Sequence, residues 1–142
     1  MIAGKKLKNQ RGTAAVEFAI ILPLLIIIVF GIIEFGTLLY DKAVITNASR
    51  EGARAGIVAQ VPRVADAAIQ TIVTSYCNNN LISYASSPPV LGITTTADPS
   101  AAFGQDLTVT VIYPYTFLVL PAFITNWLWS GNITARTVMR YE

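Results

Sequence analysis

At 142 residues, 54% hydrophobic and 13% charged, with a mean hydropathy of +0.56, the chain lies outside the balance of a soluble globular domain. Its formal charge of +2 is local: Lys5, Lys6, Lys8 and Arg11 supply four of the ten basic side chains, so beyond residue 12 six bases face eight acids and nothing suggests a nucleic-acid groove. The absence of histidine removes imidazole-based zinc sites and catalytic triads, and Cys77, the one cysteine, can form no intrachain disulfide and is expected as a buried, idle thiol.

The first element is apolar. Phe18 to Ile33 carries no charge, and Phe35, Leu38, Leu39 and Tyr40 continue the run past Glu34. A helix over Thr13 to Tyr40 would be roughly 40 Å long, enough to cross a hydrocarbon core of about 30 Å. The basic residues before it, with none comparable just after, place the amino terminus in the cytoplasm. A secretory signal peptide shows the same order of charge and hydrophobicity, but this run outlasts an apolar region of about 7–15 residues and no clean small-x-small cleavage site follows it. A retained anchor is expected.

Two acids border the run. A carboxylate inside a membrane helix costs about 2.5–3.5 kcal/mol on insertion scales, so such groups tend to be rare and paired. Glu34, near the outer side, has two readings: snorkelling toward the interface, or a part in subunit assembly. Glu17, on the inner side, stands in Arg11-Gly12-Thr13-Ala14-Ala15-Val16-Glu17-Phe18. This sequence resembles a class III, prepilin-type signal, and the resemblance implies a cut between Gly12 and Thr13 by a prepilin peptidase. Thr13 would become the new amino terminus, and its ammonium and the Glu17 carboxylate of a neighbouring subunit are tolerable in low dielectric only as a pair. Pro23 lacks an N–H and crowds the preceding turn, so a kink or local unwinding is expected near Ala19 to Pro23.

Past Tyr40 the helical character persists to about Gln60, rich in alanine. Ala48, Gly52 and Gly56 give it a smooth face that either its own domain or another subunit could approach. Arg50, Glu51 and Arg54 are spaced for weak i,i+3 pairs. Pro62 breaks the chain, and Asp66 is placed to open a second helix by capping and dipole. Val64, Ala68, Ile72 and Ile69, Val73, Tyr76 trace its apolar stripe, Asn78-Asn79-Asn80 ends it, and Ser83 to Pro89 reads as a loop. Strands follow: Ile93 to Thr96, then Leu107, Val109, Val111 and Tyr113 in period-two alternation, then Ile133, Ala135, Thr137, Met139 and Tyr141. Between the last two lies apolar Phe117 to Trp129, too short to span. It is either core or an interfacial patch with Trp127 and Trp129 at headgroup depth.

The sum is an α+β, pilin-like chain: a basic leader over 1–12, a transmembrane helix over 13–40, and an exported domain over 41–142 with a second helix and a short antiparallel sheet. No phosphate loop, nucleophile elbow or metal-ligand cluster is legible, so no catalytic residue, cofactor, metal or small-molecule substrate is assigned. The motif over residues 11–18, Pro23, Gly31-x-x-Glu34-x-Gly36, the stretch Ala48 to Arg54 and the ending Met139-Arg140-Tyr141-Glu142 together resemble TadE-like proteins, pseudopilins of the tight-adherence (Tad/Flp) pilus system. That resemblance implies a single-pass inner-membrane subunit whose partners are lipid, a prepilin peptidase, other pilin-like subunits and the Tad assembly machinery. It makes Gly12, Thr13, Glu17 and Phe18 the processing residues and Glu17 and Glu34 the assembly residues. Thr13 departs from the aromatic first residue of typical type IV pilins, which puts amino-terminal methylation in doubt. The alternatives are a membrane-tethered binding or scaffold module with an uncleaved anchor and, with no constellation to support it, a bitopic enzyme.

Overall fold

The computed structural model describes residues 4–59, 62–83, 90–96, 100, 103–117 and 131–141. A single helix, α1 (Gly4–Gly56), runs 53 residues, or roughly 80 Å at 1.5 Å per residue. It is followed by α2 (Asp66–Asn80) and by strands β1 (Gly92–Thr95), β2 (Asp106–Pro114) and β3 (Asn132–Arg140). The strands form one antiparallel sheet in the order β1-β2-β3. This is the expected α+β architecture.

α1 changes character along its length. From Gly12 to Ile33 every position is exposed, whereas from Glu34 onward one face is buried. That face steps through Glu34, Leu38, Asp41, Ile45, Ala48, Gly52 and Gly56 at intervals of three and four. Hydroxyls on this half return to the helix's own carbonyls: Thr37 to Glu34, Thr46 to Lys42 and Ser49 to Thr46. The helix runs unbroken through Pro23, so the unwinding expected near Ala19 does not occur. Proline's fixed φ is itself helical and removes a single N–H, which long flanking turns absorb.

The domain is packed lengthwise on α1. A Cβ added at Gly52 would lie 2.5 Å from Val73 Cγ2, and one at Gly56 would lie 2.5 Å from Leu107 Cδ2 and 2.7 Å from Ile69 Cδ1. The small-residue face therefore serves its own domain, letting α2 and β2 approach the helix backbone. On α2 the row Ile69, Val73, Cys77 is buried, and on β2 the row Leu107, Val109, Val111, Tyr113. With Ile45, Ala48, Ala53, Ile133, Ala135 and Tyr141 these make one core, each large aliphatic member contributing about 1.5–3 kcal/mol. Ala68 and Ile72, read as part of the α2 stripe, fall at its edge instead, exposed and half-buried.

Local signals fix the ends. Ala65, not Asp66, is the N-cap of α2 and makes no side-chain cap bond. Asp66 sits in the first turn, where its charge suits the dipole, and accepts a hydrogen bond from the Thr95 hydroxyl at the end of β1. α2 ends at Asn80 as read, with the Leu81 N–H donating to the Cys77 carbonyl at 2.8 Å. Gly104, at φ +87°, turns the chain into β2 and donates to the Tyr141 carbonyl at 3.0 Å. The exposed pair Arg54–Glu51, 2.9 Å apart, takes the i,i+3 form expected and adds little stability. Most of the Ser83–Pro89 loop (84–89), Gln60, Glu142 and, from the Phe117–Trp129 segment, residues 118–130 with Pro121, Trp127 and Trp129 lie outside the described residues.

Two outcomes follow. Gly52→Val should destabilise the domain by about 1–3 kcal/mol through overpacking. Gly36→Ala, which meets nothing within 4 Å, should stabilise the helix by roughly 0.5–1 kcal/mol; thermal melts in detergent compare the two. Burial pushes the Cys77 thiol up to about 11, so alkylation at pH 8 should be slow in the folded chain and fast in denaturant, as mass spectrometry of the adduct would report.

Candidate functional site

Gly12, Thr13, Glu17 and Phe18 all lie on helical backbone in the exposed part of α1. A Cβ at Gly12 would meet nothing within 4 Å, so packing within the chain does not require glycine there. Glycine in a helix interior is less favourable than alanine by about 0.5–1 kcal/mol, and no close approach within the chain offsets that at Gly12. Glu17 is exposed and takes part in neither ion pair among the described residues. Phe18 is likewise open, the start of an exposed apolar surface that includes Ile20, Ile21, Leu24, Ile27 and Ile32. α1 is the one helix among the described residues long and apolar enough to cross a membrane, and it fits a single-pass anchor.

Of the two readings of Glu34, snorkelling toward the interface does not hold. Glu34 is 4% exposed, turned into the carboxy-terminal domain, and its Oε1 accepts a hydrogen bond from the Tyr115 hydroxyl at 2.9 Å. The same hydroxyl lies 2.7 Å from Thr37 Oγ1, which donates to the Glu34 carbonyl at 2.9 Å. Tyr115 is backed edge-on by Tyr113 and Phe117, at ring centroid distances of 6.2 and 5.2 Å. Burial, with the Glu34 and Asp41 carboxylates nearby, raises the Tyr115 pKa well above the ordinary phenol range, so it remains a donor. Glu17 and Glu34, both named from the sequence, are therefore not brought together: one faces outward, and the other is engaged by the domain.

Two turns further on, Asp41 is fully buried. Its Oδ1 accepts the Ile82 N–H at 3.0 Å, and its Oδ2 has no hydrogen-bond partner. Desolvation raises its pKa, an effect the Ile82 bond partly offsets. Lys42 donates to the Thr134 carbonyl, and Ser49 pairs with Thr137 Oγ1 at 2.7 Å. These bonds dock β3 and the end of α2 onto the helix. Sequence reasoning missed Asp41, Thr37 and Tyr115. The available signal was spacing: Glu34, Asp41 and Ala48 are seven apart, which puts both acids on the face that Gly52 and Gly56 mark as buried.

The arrangement can clamp a domain to a helix. Among the described residues no three acid or thiol side chains gather into a metal-holding group. Tyr115→Phe keeps the ring contacts but removes the hydroxyl shared by Glu34 and Thr37, and should lower domain stability by about 1–3 kcal/mol in denaturant titrations. Because burial raises the folded pKa of Asp41, the group costs the fold nothing below its ordinary value of 3.8, and stability falls as pH rises toward the folded value. Asp41→Asn should remove this dependence, so the stability gap between variant and wild type should widen in the variant's favour as pH rises above 3.8; melts across pH measure it.

No curated protein and no solved structure matches the chain. The family comparison does find a match, over the segment containing Gly12, Glu17, Pro23, Glu34, Asp41 and Gly52. Residues 12–54 match the family described as TadE-like protein, so the resemblance carried by the amino-terminal motifs is shown along α1 from Gly12 to Arg54.

Proposed function

We propose that the chain is a pseudopilin, or minor pilin, of a Tad (Flp-type) pilus system that serves surface adhesion. TadE-like proteins are structural components of Tad pilus systems, not an enzyme family. In this reading the chain is held in the bacterial inner membrane by its first helix, amino terminus inside and domain outside. A prepilin peptidase removes residues 1–12 by cutting after Gly12, with Glu17 and Phe18 as part of what it recognises. The new Thr13 ammonium then meets the Glu17 carboxylate of a neighbouring copy within the membrane, each charge relieving the burial cost of the other. The pairing sets register between subunits, and Glu34 supports assembly from its own chain by fixing how the domain sits on the helix.

One observation carries the proposal: within the family-matched segment, Gly12 and Glu17 serve no contact of their own fold, while from Glu34 onward one whole face of the helix is occupied by the domain. A residue pattern that the monomer does not use points to a second protein. The competing reading, a tethered binding or scaffold module with an uncleaved anchor, leaves glycine at position 12 without a purpose.

Mass spectrometry of membrane-extracted protein separates the two. Pseudopilin processing gives a chain beginning at Thr13, and Gly12→Leu should accumulate at precursor mass and stop supporting pili. An intact Met1 start in cells with an active prepilin peptidase overturns the proposal, as does unimpaired assembly by Gly12→Leu. Glu17→Gln should lower pilus yield, at a cost of about 3–5 kcal/mol per unpaired buried charge, while leaving the domain's melting temperature unchanged.

A further inference from the structure

The two edges of the sheet are finished differently. The β1 edge is four residues long. The β3 edge runs nine, about 30 Å, and pairs with β2 in unbroken register from Asp106↔Arg140 to Pro114↔Asn132, without a bulge. Proteins blunt a long regular edge with a proline, a bulge or a charge, because its free N–H and C=O groups are a template for another strand. On β3 a neighbouring element covers one end, where Lys42 donates to the Thr134 carbonyl. The charges of the strand itself, Arg136 and Arg140, repel a like strand and select an acidic one.

The ladder tells which backbone groups are free. The Thr96 N–H donates to the Thr108 carbonyl at 3.0 Å, so the even residues of β2 turn their backbone toward β1. The Tyr115 N–H donates to the Gly131 carbonyl at 2.6 Å and the Tyr141 N–H to the Gln105 carbonyl at 2.9 Å, so odd residues bond across the β2–β3 pair. The even residues of β3 therefore aim their N–H and C=O groups away from the sheet, as the reach of Lys42 to the Thr134 carbonyl requires. Beyond Thr134, residues Arg136, Val138 and Arg140 are exposed, and among the described residues no hydrogen bond meets their backbone on that side.

Arg136 and Arg140 stand on the outer face of the sheet, on either side of Val138, which is 50% exposed. Arg140 is 3.1 Å from Asp106, and Arg136 is in neither ion pair among the described residues. From Asn132 to Arg140 the strand holds no acid, so two β3 edges side by side would gather the arginines of both copies and disfavour that pairing. We propose that the outer half of β3, Arg136 to Arg140, is a strand-addition site for an extended acidic segment of another protein, with carboxylates opposite Arg136 and Arg140 and a small apolar side chain opposite Val138. Main-chain bonds supply the affinity, and the arginine pair sets the sign of the partner's charge. The site requires neither the membrane span nor removal of the leader, so it stands apart from the pseudopilin reading.

The capped peptide Thr-Glu-Thr-Val-Thr-Glu-Thr presents this pattern in either direction. Amide hydrogen exchange of the full chain in detergent, followed by NMR, should find the Arg136, Val138 and Arg140 N–H groups fast in the free protein and slowed about tenfold or more at saturating peptide. The same peptide with lysine in place of glutamate should leave them fast. Val138→Pro removes an outward N–H and no ladder bond, so it should keep the melting temperature and lose the peptide. Arg136→Glu, a change at an exposed side chain, should weaken the glutamate peptide about tenfold. Amides already slow in the free chain mean a covered edge, and slowing that grows with protein concentration means a second copy; either result overturns the proposal. So does a glutamate peptide that leaves the exchange unchanged, or that binds Arg136→Glu as well as it binds the wild type.

Discussion

The Tyr115 hydroxyl, held between Glu34 Oε1 and Thr37 Oγ1, marks the point at which α1 passes from one surrounding to another. Below it, from Gly12 to Ile33, the helix is mostly apolar and every position is exposed. Above it the same helix carries small and polar residues on one face and is roofed by α2 and the sheet. A single rod can serve both only if the change falls at one level, and from Gly12 onward Glu34 is the first buried residue. An acid at that level is expensive unless a partner meets it, and the domain supplies a tyrosine whose ring rests on other aromatics. The placement of the domain follows from satisfying that carboxylate.

Above the clamp, closeness of approach does the work. Gly52 and Gly56 lower helix propensity, yet they let Val73, Ile69 and Leu107 reach the backbone. What the helix loses in propensity it recovers in dispersion and burial, which suits a segment continuous with the long apolar half of the same helix. The family match over residues 12–54 ends close to the last of these contacts. The exposed apolar surface, the helix side of the clamp (Glu34 and Thr37) and most of the face covered by the domain thus belong to one stretch of sequence.

Much of this was legible beforehand. The alternation Leu107, Val109, Val111, Tyr113 has a single period and gave the central strand with its buried face, and the asparagine triplet ended α2 where it does. Ala48, Gly52 and Gly56 gave a contact face but not its occupant, because smoothness is the same whether a fellow subunit or the chain's own helix approaches. The partner of Glu34 was hidden for a similar reason. An acid at the edge of an apolar run snorkels unless something reaches it, and Tyr115, 81 residues away, carries no local sign that it will. The unwinding read at Pro23 does not occur because many turns hold the helix on either side of one missing N–H. The placement of Gly12 and Glu17 on an untouched surface is a fact of structure, and the sequence motif had already singled them out.

The lengthwise packing has a mechanical side. The Glu34–Tyr115, Lys42–Thr134 and Ser49–Thr137 bonds and the Gly52–Val73 contact are strung out along more than half the outer length of α1. A tug along the rod's axis strains these attachments in shear, all at the same moment, so each bears a fraction of the load. A sideways tug would peel them open in turn, starting from one end. Toughness in this molecule is directional, greatest along the axis of its longest described element.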